Sequence, residues 1–257
     1  LIRRQRQMCI RDRFEADSND YVFDPFSGLG TTMFTSMLSG IPSIGIDKLP
    51  VAYFISKTLP LFLFLRENEV KEIWESIKPR IKKSKPANVA MDVPIMQVAF
   101  NEESILLLRK LKSAIDELSE PYRDIFLLLF FSILEECSFT SKDGQFLRLK
   151  RTKKVEWPDQ AIGRAAEKAE ADVARACLMW PDAHIAIKVR CANALSYDSY
   201  PSVPADVLIT SPPYPNEKDY TRTTRLESVV LGFIKDMSQL RSYKKTLIRS
   251  NTRGVYK

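Results

Sequence analysis

One stretch near the N-terminus constrains the fold more than any other: two short apolar runs separated by a glycine-rich turn and a helix-like segment. Residues 21–24 (YVFD) are typical of a buried strand, and PFSGLGTT then leads into MFTSMLSG, which predicts a helix that ends at Gly40. Residues 43–47 (SIGID) predict a second strand that ends in an acid, and residues 50–57 begin another helix. Strands that alternate with helices favour a parallel, doubly wound α/β sheet.

Two further strands are predicted much later in the chain, at residues 185–191 and 206–210. A crossover between parallel strands needs roughly a dozen residues, so the long intervening segment predicts an insertion. We therefore expect a catalytic domain formed by residues 14–60 and 184–257, interrupted by a helical insertion at residues 61–183. The insertion's helices are predicted at residues 67–80, 102–118, 121–138 and 159–179. No later strand is recognisable, so we expect a fragment that lacks the C-terminal strands of its sheet.

The formal net charge of +7 is concentrated in three segments. Residues 1–13 contribute +4, but MCIRDR resembles a translated sequencing adapter, so this segment is predicted to be non-native or disordered. The alternative is a basic arm that touches nucleic acid. Residues 142–154 carry +5 and residues 217–257 carry +6, which leaves the remainder near −8. This asymmetry favours a basic face for a polyanion, and the alternative is two ordinary solvated faces.

Cysteine and histidine usage limits the classes of site. The chain has four cysteines: Cys9, Cys137, Cys177 and Cys191. None forms a C-x-x-C pair, and His184 is the only histidine and is expected to be structural. This pattern predicts neither a metal site nor a disulfide framework, and it is typical of the reducing cytoplasm. The longest apolar stretches, residues 59–65 and 125–134, are too short to span a bilayer, and no signal peptide is recognisable, so we expect a cytoplasmic protein.

The turn DPFSGLGTT, residues 24–32, has the composition of a ligand-binding loop. Gly28 and Gly30 permit a tight turn and a close approach to a ligand, and the following helix N-terminus offers free N–H groups. Asp24 and Asp47 end two strands, where open α/β sheets bind ligands, and Asp47 is placed to accept hydrogen bonds from ribose hydroxyls. The Asp24 carboxylate would repel a pyrophosphate and suit an ammonium group. These features favour S-adenosylmethionine, and no Walker motif supports a nucleoside triphosphate.

A second motif, TSPPY at residues 210–214, ends the fourth predicted strand with two prolines that cannot donate backbone hydrogen bonds. Together with DPFSGLGTT it resembles the amino-methyltransferases of DNA, which methylate exocyclic nitrogens with S-adenosylmethionine. Residues 45–58 (GIDKLPVAYFISKT) are similar to the family's second motif, and residues 211–227 resemble restriction–modification methyltransferases. The insertion matches only loosely, around ILEECSFTSKDGQFLR. The resemblance implies a Rossmann-like class I methyltransferase sheet with a helical insertion.

The resemblance also implies roles for individual residues. An exocyclic amine is a poor nucleophile because its lone pair is delocalised into the ring. Acceptors around its N–H groups can orient that lone pair, and Ser211 Oγ and the Pro212 carbonyl are the candidates, with Pro213 fixing the local backbone. Tyr214 is expected to stack on a base flipped out of the duplex. The cofactor-binding residues so implied are Asp24, Phe26, Gly28, Gly30, Thr31, Thr32, Asp47 and Asn193.

Residues in two segments, most of them basic, are candidates for DNA contact. Those that follow the catalytic motif are Lys218, Tyr220, Arg222 and Arg225, and those in the insertion are Arg148, Lys150, Arg151, Lys153 and Lys154. Each could hold a phosphate near the flipped base, and the alternative for each is a solvated surface residue. The expected partners are double-stranded DNA and, through the resemblance, a cognate restriction endonuclease.

The resemblance indicates the methylated base through Ser211, the first residue of the SPPY part of the motif. Serine there resembles cytosine-N4 enzymes, whereas aspartate or asparagine resembles adenine-N6 enzymes, so cytosine N4 is favoured. Methylation of cytosine C5 is disfavoured because none of the cysteines follows a proline. Two alternatives stay open: an RNA methyltransferase acting on a guanine amine, and a non-catalytic DNA-binding remnant. The order of the motifs, with the cofactor loop first, leaves the position of target recognition open.

Overall fold

The computed structural model describes residues 15–143, 146–180, 187–202, 204–213 and 220–247. The predicted N-terminal segment at residues 1–13 and His184 lie outside these ranges. The chain divides into two compact units, one formed by residues 1–64 and 176–214 and the other by residues 65–175 and 215–257.

The helices and strands follow in an order that reflects the alternation predicted for the first and last parts of the chain. In chain order they are β1 (Val22–Asp24), α1 (Thr31–Leu38), β2 (Ser43–Asp47), α2 (Pro50–Thr58), α3 (Glu69–Ile81), α4 (Glu102–Asp116), α5 (Tyr122–Ile133), β3 (Thr140–Asp143), β4 (Phe146–Leu149), α6 (Pro158–Met179), β5 (Ile187–Cys191), β6 (Val207–Leu208), α7 (Tyr220–Thr223), α8 (Arg225–Val230) and α9 (Met237–Lys245). Short 3-10 helices occur at Leu59–Phe64, Pro94–Gln97 and Tyr197–Ser199. No helix in the described ranges is both long and apolar enough to cross a membrane.

The first unit is built on a parallel sheet with the strand order β5-β2-β1-β6. Successive side chains of a strand point to opposite faces, so Val22 packs with Ile41 on one face while Phe23 packs with Ile44 and Ile46 on the other. Burial on both faces is what a parallel sheet covered by helices requires. The α/β class predicted from the sequence is therefore confirmed.

The second unit contains α3, α4 and α5 around a core of fully buried side chains. The core includes Leu108, Leu111, Ile115, Phe126 and Phe130. The Asn101 side chain begins α4 by accepting a hydrogen bond from the Ser104 N–H at 2.7 Å, an ordinary N-cap. These helices agree in position with the predicted ones, but the unit also holds an element that the sequence prediction omitted.

The omitted element is the antiparallel hairpin formed by β3 and β4, in which Thr140 lies opposite Leu149 and Asp143 opposite Phe146. Asp143–Gly144 between two short runs is a hairpin signal, but residues 139–158 lie between two predicted helices of a mostly helical insertion, and no strand was predicted there. The structure also groups residues 220–247 with this helical unit. The sequence prediction had assigned them to the catalytic domain, and the domain boundaries stay a prediction.

Candidate functional site

The carboxyl ends of β1, β2, β5 and β6 meet at one edge of the sheet because the four strands are parallel. Asp24 and Asp47 end β1 and β2, while Asn193 and Thr210 follow β5 and β6 by two residues each. Residues far apart in the sequence are thereby collected at the position where open α/β sheets bind ligands. The structure thus brings the glycine-rich loop and the start of the TSPPY motif together.

The glycine-rich loop is tied to β2 by backbone hydrogen bonds. The Ser27 N–H donates to the Ile46 carbonyl at 2.9 Å, and the Gly28 N–H donates to Asp47 Oδ2 at 2.9 Å. Gly28 and Gly30 adopt φ angles of +55° and +83°, in the left-handed region that other residues avoid. Gly30 directly precedes α1, so the loop delivers the chain into the helix N-terminus that the sequence predicted.

Asp47 holds this loop through both of its carboxylate oxygens. Besides the Gly28 bond, Oδ1 accepts from the Leu49 N–H at 2.8 Å. Burial raises the pKa of Asp47, the backbone donors at Leu49 and Gly28 oppose that rise, and the nearby charge of Asp24 adds to it. Each carboxylate oxygen has a second lone pair, so Asp47 keeps the acceptor capacity that the predicted ribose contact needs.

Replacing Asp47 with asparagine is expected to weaken S-adenosylmethionine binding about tenfold, because the amide leaves one of the two backbone donors without an acceptor. Titration calorimetry of the wild type and Asp47→Asn measures this loss. Asp206→Asn is the matched control, since its Oδ2 also accepts from a backbone N–H, that of Tyr21 at 2.8 Å, but at the opposite edge of the sheet. Equal affinities in wild type and Asp47→Asn would contradict the loop-holding role.

The pH dependence of cofactor affinity should have a definite sign. The loop bonds need ionised Asp47, so affinity is expected to fall as the pH drops through its raised pKa, at less acidic pH than for an ordinary aspartate. Folding stability responds in the opposite sense. A raised folded pKa means that the folded state binds the proton more tightly, so that contribution is present below the unfolded pKa and is lost as pH rises. Calorimetry and denaturation at several pH values separate the two effects.

Asp24 has a different environment from Asp47. Its side chain is 0% exposed, and its oxygens accept from three donors: the Phe26 N–H at 3.1 Å and the hydroxyls of Thr32 and Thr210 at 2.7 Å each. The carboxylate is therefore enclosed by protein groups in this structure. The predicted contact between Asp24 and an ammonium group of the cofactor stays a prediction.

The remaining predicted cofactor residues lie around the same edge. Phe26 and Thr31 are half-buried beside the loop, and Thr32 is buried in the first turn of α1. Asn193 is half-buried, and its Oδ1 accepts from the Leu195 N–H at 3.2 Å. The preceding residue, Ala192, donates its N–H to the Asp47 carbonyl at 3.1 Å, which places Asn193 next to the end of β2.

The predicted catalytic motif is described only in part. Ser211 and Pro212 are exposed at the sheet edge and Pro213 is half-buried, so the proposed acceptors are accessible. Tyr214 and Lys218 lie outside the described residues, and only the backbone of Tyr220 is described, as the first residue of α7. Thr210, to which the sequence prediction gave no role, is the described residue of this motif that contacts Asp24 at the start of the glycine-rich segment.

The predicted DNA-contacting residues that the structure describes all belong to the second unit. Lys150 and Arg151 are exposed, and Arg148 is exposed with an ion pair to Asp143 at 3.1 Å. The Arg222 guanidinium lies 5.6 Å from the centre of the Phe146 ring. The remaining described members of the predicted set are Arg225, which is half-buried, and Lys154, which is exposed.

Lys153 differs from these basic neighbours. Its Nζ donates to the carbonyls of Glu135 and Thr140, and burial lowers its pKa. It joins the end of α5 to β3, so its position is explained by the fold. Within the described ranges, no three His, Cys, Asp or Glu side chains are grouped as ligands for a metal ion.

Two curated relatives are similar to this chain over most of its length. The type II methyltransferase M.BsoBI of Geobacillus stearothermophilus is 32% identical over 255 residues, covering 86% of this chain and 49% of that protein. The type II methyltransferase M.AvaI of Nostoc sp. is 28% identical over 249 residues, covering 89% and 52%. No protein-family model matches the chain, and no solved structure matches it significantly.

The chain spans about half the length of the curated relatives it matches. The matched part includes most of the chain, and the described sheet and its loops have the arrangement that the motif resemblance implied. With its parallel sheet and with two motifs at the carboxyl edge of that sheet, the chain is similar over most of its length to type II methyltransferases of restriction–modification systems.

Proposed function

We propose that this chain forms the cofactor-binding and methyl-transfer part of a site-specific DNA methyltransferase. The proposed reaction moves a methyl group from S-adenosylmethionine to an exocyclic amine, with cytosine N4 favoured over adenine N6. The observation that carries this proposal is the meeting of the glycine-rich loop and the TSPPY motif at one sheet edge, joined by the Asp24–Thr210 hydrogen bond of 2.7 Å. A cofactor site and a base site next to each other are what direct methyl transfer requires.

The residues at this edge fit S-adenosylmethionine. A Cβ at Gly28 would meet nothing within 4 Å, so the loop leaves open space there for a ligand, and Asp47 has lone pairs left for ribose hydroxyls. Phe26 and Asn193 are half-buried beside them, where an adenine ring would find an apolar surface and a polar amide. When bound, S-adenosylmethionine supplies a methyl group on a sulfonium, from which it leaves readily.

The chain's own residues then have to make an aromatic amine nucleophilic. Ser211 Oγ and the Pro212 carbonyl are proposed to accept the two N–H hydrogens of the amine, which directs the nitrogen lone pair toward the methyl group. Both residues are exposed, so a flipped base has access to them. Tyr214 is proposed to stack on that base and to offset part of the unstacking cost of a few kcal/mol.

The proposed substrate is double-stranded DNA, which the second unit would contact through its exposed basic residues. Arg148, Lys150 and Arg151 lie on or directly after β4, and Arg222 lies in α7. Restriction–modification methyltransferases act beside a restriction endonuclease, so a cognate endonuclease is a proposed functional partner. The guanine-amine RNA methyltransferase is the second candidate, because the two motif types are shared with such enzymes.

Nucleoside mass spectrometry tests the function and the base together. DNA from a methylation-deficient host that expresses the complete reading frame is expected to contain N4-methylcytosine. Ser211→Ala should lower that signal by about 10²–10³-fold, the usual effect of removing one preorganised hydrogen-bonding group from a reaction centre. The matched control is Ser202→Ala, an exposed serine that precedes β6.

Each result of this experiment has a distinct meaning. N6-methyladenine that disappears in Ser211→Ala keeps the mechanism and overturns the choice of base. Methylated guanine in RNA, with unmodified DNA, favours the second candidate. DNA and RNA without any added methyl group would reject the enzymatic proposal and favour a chain that only binds DNA.

A further inference from the structure

The Asp24 carboxylate contacts two functional segments at once. It receives hydrogen bonds from Phe26 in the glycine-rich loop, from Thr32 in the first turn of α1, and from Thr210 directly before the catalytic motif. Thr210 lies 186 residues further along the chain than Asp24. One side chain therefore joins the DPFSGLGTT segment to the start of the TSPPY motif, two parts of the sheet edge that are far apart in the sequence.

The chemistry of these bonds makes them strong and directional. A buried carboxylate is costly unless hydrogen bonds satisfy it, and Asp24 is 0% exposed. The three donors are two hydroxyls and one backbone N–H, and both hydroxyl bonds measure 2.7 Å, the usual length of an O–H···O hydrogen bond. Moving Thr210 away would leave part of this buried charge without a donor.

Few backbone hydrogen bonds hold the start of the catalytic motif in the part that the structure describes, residues 210–213. The ladder between β1 and β6 has only the pairs Val22–Val207 and Phe23–Leu208, followed by the Ile209 N–H donating to the Phe23 carbonyl at 3.1 Å. Beyond that point Pro212 and Pro213 have no N–H to donate. Between the end of the β1–β6 pairing and the exposed Ser211, the Thr210 hydroxyl holds the chain to Asp24 by a hydrogen bond.

We infer that Asp24 is a positioning residue for methyl transfer, which acts through Thr210 to hold the start of the TSPPY motif at a fixed place relative to the cofactor loop. This inference rests on the proposed methyltransferase function. Asp24 need not touch either substrate in this role. Its contribution is geometric, and a misplacement of about 1 Å at a reaction centre can cost about 10²-fold in rate.

Thr210→Val tests the inference, since valine keeps the shape of threonine and lacks the hydroxyl. Single-turnover methyl transfer to DNA is expected to slow by about 10²-fold, while the dissociation constant for S-adenosylmethionine stays unchanged. Thr210→Ser restores the hydroxyl and should restore most of the rate. Thr246→Val is the matched control. The Thr246 hydroxyl also donates a 2.7 Å hydrogen bond, to the Tyr243 carbonyl, but Thr246 is exposed and directly follows α9.

A double-mutant cycle assigns the effect to Asp24. Asp24→Asn keeps the side-chain size and replaces one acceptor oxygen with an amide group. If Asp24 acts through Thr210, the variant with both substitutions is no slower than Asp24→Asn alone. If the two substitutions slowed the reaction additively, the inference would be overturned. If Asp24→Asn does not fold, the comparison of Thr210→Val with Thr210→Ser still decides the inference.

The results distinguish this inference from the function on which it rests. A wild-type protein that transfers no methyl group overturns the proposed function and this role with it. An active wild type with an equally fast Thr210→Val variant overturns the positioning role alone. So does a Thr210→Ser variant as slow as Thr210→Val, or a loss of cofactor affinity parallel to the loss of rate, because either result would indicate a general structural defect.

Discussion

Replacing Lys142 with alanine is expected to lower the free energy of unfolding by about 3–5 kcal/mol, the cost of leaving a buried charge without its partner. Lys142 in β3 forms an ion pair with Glu227 in α8, whose side chain is 1% exposed. Burial raises the pKa of Glu227, and the Lys142 charge opposes that rise. The lysine Nζ also lies 5.5 Å from the centre of the Phe131 ring, so its removal affects packing as well.

Urea denaturation followed by circular dichroism measures this effect. Arg148→Ala is the matched control on the same hairpin, because its ion pair with Asp143 has side chains that are 60% and 55% exposed. Exposed pairs contribute only about 0–1 kcal/mol. A Lys142→Ala variant as stable as Arg148→Ala would show that the ion pair with buried Glu227 does not hold the hairpin to α8.

Two further measurements separate loss of the pair from loss of lysine packing. Lys142→Met combined with Glu227→Gln removes both charges, so it should be more stable than Lys142→Ala. In Lys142→Ala, the pKa of Glu227 should rise further, since the opposing charge is gone. A raised folded pKa gives stability that is present below the unfolded pKa and lost as pH rises. The defect of Lys142→Ala should therefore shrink as the pH falls.

The parallel sheet could be predicted from the sequence because its signals are local. SIGID is a short apolar run between Pro42 and Lys48, and β2 has the predicted bounds, Ser43–Asp47. β6 is shorter than predicted, at Val207–Leu208. Its pairing with β1 ends as the chain turns into the proline-rich motif. The strand predicted at residues 206–210 is therefore longer than the segment that pairs with β1.

The environment of the two aspartates could not be predicted in the same way. Both end a strand, and both were expected to face the cofactor. The sequence does not indicate that Asp24 is enclosed, because this depends on the Thr210 hydroxyl, which only folding brings near. Asp47 accepts hydrogen bonds from the N–H groups of Gly28 and Leu49. Its position beside the glycine-rich turn could therefore be predicted from the strand–turn–helix–strand order of this part of the sequence. The role of Asp24 therefore depends on a contact with a residue far away in the sequence, which the motif alone does not indicate.

The same limit applies to the basic residues of the insertion. Charge alone placed Lys153 with Lys150 and Arg151, but its Nζ donates to two carbonyls, that of Glu135 just after α5 and that of Thr140 in the hairpin. A lysine that satisfies carbonyls inside a fold cannot be distinguished by composition from one that faces solvent. The hairpin that supplies one of those carbonyls was itself absent from the prediction, so this role had no basis in the sequence.

Gly30→Ala is expected to lower the free energy of unfolding by about 2–5 kcal/mol and to weaken cofactor binding, because two unfavourable effects combine there. Gly30 has a φ of +83°, which an alanine adopts only with strain. A Cβ at this position would also lie 2.4 Å from the Cβ and 2.8 Å from the Cα of Ser56 in α2. The backbone atom cannot move aside as a flexible side chain would, so the loop and α2 must separate.

Gly28→Ala is a control that differs in one of these effects. Its φ of +55° is also left-handed, but a Cβ there would meet nothing within 4 Å. The expected loss is about 1–2 kcal/mol, from backbone strain alone. Denaturation of both variants isolates the contact between the loop and α2, and calorimetry with S-adenosylmethionine reports whether that contact shapes the cofactor site. If the two variants were equally stable, the close approach of Gly30 to Ser56 would not constrain the loop, and strain would account for both glycines.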